Sequence, residues 1–183
     1  MDCISDYSGE MLEVVAATKK LTVYTQKANE FFKNPIGNLV LPDYQRPYVW
    51  NEEKVEQLLM DWYEHFFSTE GKFQDVAPHY YMGTVLFYED NDKYYVVDEQ
   101  QRITTLLLID HIVNNSKFYL NQDKWDLNYN SLLSSANIKN NYNYLRHSEL
   151  LGKIENLISS IFQKLIFTII ITDSEDEACY NVR

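Results

Sequence analysis

The chain has 183 residues and a mass of 21.7 kDa, which suits one domain of ordinary size. Hydrophobic residues make up 45% and charged residues 23% of the chain, a balance that excludes a disordered protein. The 27 acidic side chains outnumber the 16 basic ones, and the formal charge of -11 argues against a surface that coats nucleic acid, although it leaves room for one small phosphate pocket.

The first half of the chain alternates short elements with turns. Its apolar residues at helical spacing predict a helical extension over residues 1–20. Three elements are expected next: a strand at 21–24, a helix at 25–32 and a strand at 39–41. Two prolines keep the segment 42–50 extended or looped. Asn51 is a good N-cap, and the apolar spacing after it predicts an amphipathic helix over about 52–67.

The second half carries longer β-rich and apolar runs. Two β-rich runs, 80–88 and 93–98, flank an acidic turn and predict a hairpin. A mostly buried helix is expected over 100–113, and the Asn- and Ser-rich stretch at about 114–147 is interpreted as a polar insertion of loop and short helical pieces. The last expected elements are a helix at 148–163, a central strand at 165–172 and the beginning of a helix at 178–183. This pattern favours an α+β fold with a small mixed β-sheet packed by helices.

Two glutamine–arginine pairs are notable because the chain has only four arginines. Gln45 precedes Arg46 in the proline-flanked loop, and Gln100 and Gln101 precede Arg102 where a strand is expected to meet a helix. Backbone N–H groups at the start of a helix lack partners and attract anions. The forked guanidinium of Arg102 suits phosphate oxygens, so this junction is a candidate phosphate site.

Neighbouring side chains could complete such a site. The amides of Gln100 and Gln101 could donate to phosphate or orient an attacking water. Asp98 could hold Mg²⁺, because this ion takes one or two carboxylates together with phosphates. Thr104 and Thr105 could add hydroxyl contacts to the nucleotide.

A structural role for the same residues stays open. Asp98 could simply cap the helix, and Arg102 could form an ion pair with Asp98, Glu99 or Asp43. The aromatic residues of the first loop could anchor it in the core, since buried aromatic side chains usually supply core area. These residues are Tyr44, Tyr48 and Trp50.

Other functional patterns are weaker. The chain has no G-x-x-x-x-G-K, which excludes a P-loop nucleotide site, and its four histidines lack zinc-ligand spacing. A PD…ExK nuclease pattern formed by Asp43 and 52–54 fails because its Glu and Lys open a helix instead of lying on a strand. Cys3 and Cys179 match no disulfide or metal pattern and favour a reducing cytoplasm. We expect no signal peptide and no membrane association.

Two segments resemble the signatures of a known family. Residues 41–50, LPDYQRPYVW, are similar to I-P-x-Y-Q-R-x-Y-x-W, and residues 97–106, VDEQQRITTL, are similar to D-G-Q-Q-R-x-T-T-L. Both signatures belong to the N-terminal domain of GmrSD-type, modification-dependent restriction endonucleases, a family similar to the ParB/sulfiredoxin-like fold. The resemblance covers about residues 20–183. It includes a weak match of 181–183 to the first three residues of the family's N-x-R-G segment.

The resemblance implies a ParB-like nucleotide-binding domain over residues 21–183 that binds and hydrolyses a nucleoside triphosphate with Mg²⁺. It implies catalytic and phosphate-binding roles for Asp98, Gln100, Gln101 and Arg102, and it makes Asp98 the residue that binds the metal ion. It also implies that Gln45 and Arg46 line the same pocket. Glu99 stands where the family has glycine, which places an acid where phosphate would bind. This departure favours the alternative of a non-catalytic sensor or protein-interaction domain that regulates a partner nuclease.

The resemblance also implies partners outside this domain. Full-length members commonly continue into a helical region and a C-terminal HNH-type nuclease. The sequence contains no HNH residues, so we expect the chain to be the N-terminal part of a longer protein or to act with a partner subunit. DNA would then be contacted by the full-length assembly and not by this acidic domain. Assembly into a homodimer stays open.

Overall fold

The computed structural model describes residues 12–16, 19–33, 36–42, 45–114, 125–126, 129 and 131–174. Within them the fold is α+β, with a mixed sheet packed by helices, which confirms the predicted fold class. The strands are β1 (Leu12–Ala16), β2 (Lys19–Lys27), β3 (Asn38–Val40), β4 (Tyr80–Asp90), β5 (Lys93–Val96), β6 (Trp125–Asp126) and β7 (Leu165–Thr172). The helices are α1 (Ala28–Lys33), α2 (Glu52–Phe66), α3 (Gln100–Asn114), α4 (Leu132–His147), α5 (Glu149–Ile154) and α6 (Ile158–Lys164).

The described strands form one sheet in the order β1-β2-β7-β4-β5-β3-β6. β7 lies inside the sheet, antiparallel to β2 and parallel to β4, which confirms the central strand predicted at 165–172. Its β-branched residues suit a strand whose side chains largely alternate between buried and half-buried positions. The predicted hairpin is also present: β4 and β5 pair antiparallel through Asn91 and Asp92, whose φ angles are +49° and +61°. Both turn residues at positive φ are typical of a tight hairpin.

Aromatic side chains fill the space between the sheet and its helices. Phe31 of α1 lies 5.9 Å from Phe167 of β7 and 6.1 Å from Phe87 of β4, measured between ring centroids. Trp62 of α2 meets Phe162 of α6 edge to face at 6.1 Å. All five side chains are buried, so the aromatic residues of the sequence hold these helices against the sheet.

The helix α3 follows β5 after a short link, and this link positions the candidate site. Ile103, Leu106 and Ile109 of α3 are buried in the core. The link is fixed to β4, because the backbone N–H of Val97 donates to the carbonyl of Leu86 at 2.9 Å. The N-terminal end of α3 is therefore held rigidly at the end of β5.

The helix predicted over residues 1–20 is wrong where the structure describes this region. Residues Leu12–Ala16 form β1, which pairs antiparallel with β2. A short apolar run fits both a helix and a strand, and pairing with β2 decides between them here. The helix predicted at 25–32 begins only at Ala28, because the residues before it continue β2 alongside β7. Residues 1–11 lie outside the described residues.

The interpretation of 114–147 as loop and short helical pieces is wrong in its second half, which forms the single 16-residue helix α4. Asn and Ser have modest helix propensity, and tertiary contacts override it. The helix predicted at 148–163 is divided into α5, a 3₁₀ turn at Glu155–Leu157 and α6. The spacing of apolar residues does not predict this interruption of the helix. The helix expected from residue 178 lies outside the described residues. No helix in the described ranges is both long enough and apolar enough to cross a bilayer.

Candidate functional site

The loop 45–50 lies across the N-terminal end of α3 and is fixed there by Gln101. The side-chain Oε1 of Gln101 accepts hydrogen bonds from the backbone N–H groups of Val49 at 2.8 Å and Trp50 at 3.2 Å. Its Nε2 donates to the carbonyl of Pro47 at 3.0 Å. Gln101 is only 4% exposed, so its amide serves the loop backbone and not the solvent.

The other two motif glutamines connect the same segments. Nε2 of Gln45 donates to the carbonyls of Val96 and Val97, at 2.9 and 2.6 Å, where β5 ends. Nε2 of Gln100 donates to the carbonyl of Arg46 at 3.1 Å, whereas its buried Oε1 accepts no hydrogen bond from any residue that the structure describes. The two motifs that are separated in the sequence are thus bound to each other, and Gln100 retains an acceptor.

The helix α4 holds the loop from its other side. The buried Asn141 donates to the hydroxyl of Tyr48 at 2.9 Å and to the carbonyl of Trp50 at 2.8 Å. Asn137 donates to the carbonyl of Tyr48 at 3.0 Å, and the backbone N–H of Tyr48 donates to Oγ of Ser134 at 2.9 Å. Sequence patterns did not predict these three residues, because nothing local indicates that α4 returns to the loop.

The threonines of α3 are buried and use their hydroxyls within the fold. Oγ1 of Thr104 donates to the carbonyl of Gln100 at 2.8 Å and also contacts the hydroxyl of Tyr129. Oγ1 of Thr105 donates to the carbonyl of Gln101 at 2.9 Å and lies 2.9 Å from the hydroxyl of Tyr48. Burial raises the pKa of Tyr129 to about 12. Both threonine hydroxyls thus lie inside the hydrogen-bonded contact between α3 and its neighbours.

The charged side of the same helix start is formed by Asp98, Glu99 and Arg102. Oδ1 of Asp98 accepts from the backbone N–H of Glu99 at 2.8 Å, and the carbonyl of Glu99 begins the helix by accepting from Ile103 at 3.1 Å. Glu99 has a φ of +65°, the left-handed region that favours glycine. Its Oε1 lies 2.5 Å from Nη1 of Arg102, an ion pair within one turn of α3.

The electrostatics place both arginines of the two motifs near one carboxylate. Burial raises the pKa of Glu99, and the nearby charge of Asp98 acts in the same direction. The charges of Arg102 and Arg46 oppose this shift. The Arg102 side chain is 36% exposed and the Glu99 side chain 19%, and Arg46 is exposed. This edge of the domain therefore combines a carboxylate paired with Arg102 and a second cationic side chain, Arg46, whose charge acts on the same carboxylate.

Gly83 of β4 lies directly against this ion pair. Its φ is +112°, next to a β-bulge between Tyr81 and Gly83. A Cβ at this position would lie 2.7 Å from Nη1 of Arg102 and 3.0 Å from Oε1 of Glu99. The missing side chain is what lets the pair lie against the strand.

The described residues contain no group of three or more His, Cys, Asp or Glu side chains that could hold a metal ion by themselves. A magnesium ion bound mainly by phosphates needs fewer protein ligands. Asp98 is half-buried and lies beside Glu99 at the same helix start, so its carboxylate fits that smaller role.

Fold and site together define an α+β domain in which a Gln-Arg loop is bound across a Gln-Gln-Arg helix start. The family model of the GmrSD restriction endonuclease N-terminal domain matches residues 28–182. The chain therefore belongs to this family, which confirms the resemblance carried by the two motifs. Membership gives the domain a defence-related role beside a nuclease region. A search of curated proteins finds no match.

Proposed function

We propose that this domain binds a nucleoside triphosphate at the N-terminal end of α3 and hydrolyses it as the regulatory module of a modification-dependent restriction endonuclease. The observation that carries the proposal is the Gln-Gln-Arg start of α3, where the Arg102 guanidinium already pairs with one anion, the Glu99 carboxylate, and the charge of Arg46 acts on the same carboxylate. A helix start that already holds an anion against a guanidinium group suits a phosphate group.

The residues divide into phosphate-binding and positioning roles. Arg102 and the backbone N–H groups at the start of α3 bind the terminal phosphates, and Arg46 contacts them from the loop. Gln100 orients the attacking water through Oε1, which accepts no hydrogen bond from the described residues. Phosphoryl transfer depends mainly on positioning and charge neutralisation, so these few groups suffice.

The remaining motif residues hold that arrangement in place. Gln45 and Gln101 fix the loop that carries Arg46. Thr104 and Thr105 hold the first turns of α3 next to the loop. Asp98 would hold Mg²⁺ together with phosphate oxygens, and the ion supplies charge neutralisation at the phosphates when it is bound.

A second candidate is a domain that binds the nucleotide without hydrolysing it and gates a partner nuclease. The observation that favours it is the ion pair of Glu99 with Arg102, because a donor of the guanidinium fork already has an acceptor. Under either candidate the nuclease is an HNH-type region of the full-length protein or a partner subunit. That region contacts DNA, since this domain carries a charge of -11. We propose a reducing cytoplasm as its location, in keeping with the positions of Cys3 and Cys179 near opposite ends of the chain.

The test combines phosphate release with thermal shift for each nucleoside triphosphate in the presence of Mg²⁺. We expect the wild-type protein to release phosphate and Arg102→Ala to release it at least about 100-fold more slowly, because the variant loses a charged phosphate contact. Arg146→Ala is the matched control, since Arg146 is exposed on α4 and stacks on Tyr142 at 5.8 Å. Circular dichroism confirms that both variants are folded.

The outcomes separate the two candidates. A thermal shift without phosphate release would support the non-catalytic sensor. The absence of both signals in the wild-type protein would overturn the nucleotide proposal altogether.

A further inference from the structure

We infer that the carboxylate of Glu99 is an internal anion that competes with the nucleotide's phosphates for Arg102 and thereby makes the site selective for triphosphates over monophosphates. The inference rests on the proposed nucleotide site and adds a specificity-determining residue to it.

The ion pair has the geometry of a phosphate contact made inside the protein. Oε1 of Glu99 lies 2.5 Å from Nη1 of Arg102, a short charge-assisted hydrogen bond. Guanidinium groups bind carboxylate and phosphate oxygens with the same forked geometry. A phosphate that uses this donor must therefore replace the carboxylate.

The pair is positioned so that replacement is feasible. The Arg102 side chain is 36% exposed and the Glu99 side chain is 19% exposed, so the pair lies at the rim of the domain and not in the core. Exposed and half-exposed ion pairs are individually weak. A strongly charged ligand can outcompete the carboxylate for Arg102, whereas a weakly charged ligand gains little binding free energy from the exchange.

The backbone conformation at residue 99 does not explain why this residue is a glutamate. Its φ of +65° is accessible to glycine without strain and is unfavourable for a side chain such as glutamate. A strained position that persists next to a binding site points to a functional side chain.

The strand behind the pair limits where the carboxylate can go. A Cβ on Gly83 would lie 3.0 Å from Oε1 of Glu99, so the carboxylate occupies the space that a side chain at this position of β4 would need. Displacement has to swing it away from the strand. Asp98 adds a second negative charge next to it, and the two carboxylates together balance the charges of Arg46 and Arg102.

The charge balance explains the expected selectivity. With both carboxylates in place the four side chains sum to no net charge, so displacing Glu99 from Arg102 frees a positive charge for the ligand. A triphosphate can contact Arg46, Arg102 and the helix start at once, and a monophosphate has fewer oxygens for these groups. Removing the negative charge of Glu99 should therefore favour both ligands but help the monophosphate more.

The test measures the dissociation constants of adenosine and guanosine tri- and monophosphates with Mg²⁺ by calorimetry. Glu99→Gln removes the charge, and Glu99→Gly also removes the backbone strain. Glu64→Gln is the matched control, because Glu64 is an exposed carboxylate on α2. We expect Glu99→Gln to bind triphosphate about tenfold more tightly and to narrow the ratio between triphosphate and monophosphate affinity, while the control leaves both unchanged.

Tighter binding in either folded Glu99 variant, with the narrower ratio, supports the inference. Unchanged or weaker binding in both variants, alongside measurable binding by the wild-type protein, overturns the inference and leaves the nucleotide site standing. If neither the wild-type protein nor any variant binds a nucleotide, the proposed function fails as well as the inference.

Discussion

Gln101 and Arg102 are neighbours in the sequence, yet they meet opposite surroundings at the start of α3. Gln101 is 4% exposed and its amide makes three hydrogen bonds to the backbone of the loop 45–50. Arg102 points to the rim, where it pairs with Glu99 and lies against Gly83. The Gln-Gln-Arg helix start therefore has a buried amide side and an accessible charged side.

The difference teaches how a short motif combines rigidity with binding. The amide side fixes the backbone that carries Arg46, and the charged side leaves both arginines near one carboxylate. Substitutions on the amide side should therefore lower stability, whereas substitutions on the charged side should change ligand affinity with a smaller effect on stability.

The largest effect is expected for Gln101→Ala. The substitution leaves the N–H groups of Val49 and Trp50 and the carbonyl of Pro47 without their partner at a buried position. We expect the free energy of unfolding to fall by about 3 kcal/mol, measured by urea denaturation. Gln57→Ala, at an exposed position on α2 where the amide bonds Asp61, is the control and should change stability by less than about 0.5 kcal/mol. Equal effects in the two variants would contradict the structural role of Gln101.

The sequence predicted those parts of the fold that depend on local patterns. The Asn51 cap and the apolar spacing after it located α2 to within one residue, and the β-branched run located β7. The apolar run at Leu12–Ala16 was misread, because strand pairing with β2 and not local spacing determines its conformation. The same holds for α4, whose buried Asn141 is stabilised by the loop that it binds.

The candidate site shows a similar division. The two motifs predicted that Gln45 and Arg46 would meet Gln100 and Arg102, and hydrogen bonds connect the two segments. The alternative of an ion pair between Arg102 and Glu99 was also open from the sequence, and the structure contains it. The contribution of Asn141 was not predictable, because nothing local indicates that α4 returns to Tyr48. The functional roles of these residues stay predictions.

A smaller effect on stability is expected for Gly83→Ala. This substitution adds a side chain on β4 next to the Glu99–Arg102 pair and so tests the charged side of the helix start. The new Cβ would lie 2.7 Å from Nη1 of Arg102 on a backbone with a φ of +112°. We expect a loss of about 2 kcal/mol in unfolding free energy, together with weaker nucleotide binding because Arg102 must move. Gly152→Ala is the matched control on α5, where a Cβ meets nothing within 4 Å. It should leave stability unchanged or raise it by up to about 1 kcal/mol. A Gly83→Ala protein with wild-type stability and binding would show that the pair does not depend on this contact.

The smallest expected effect is a pH dependence that belongs to Glu99. Burial raises its pKa in the folded protein above the ordinary value of 4.5, so the folded state holds this proton more tightly than the unfolded chain does. The resulting contribution to stability is complete below pH 4.5 and is lost as the pH rises through the pKa of the folded state. Glu99→Gln lacks this titration. The unfolding free energy of the wild-type protein minus that of Glu99→Gln should therefore decrease as the pH rises above 4.5, measured by urea denaturation at constant ionic strength. An increase in this difference over the same range would mean that the charges of Arg102 and Arg46 lower the pKa of Glu99 by more than burial raises it. Glu99 would then form a stable charged pair that a phosphate could not easily displace.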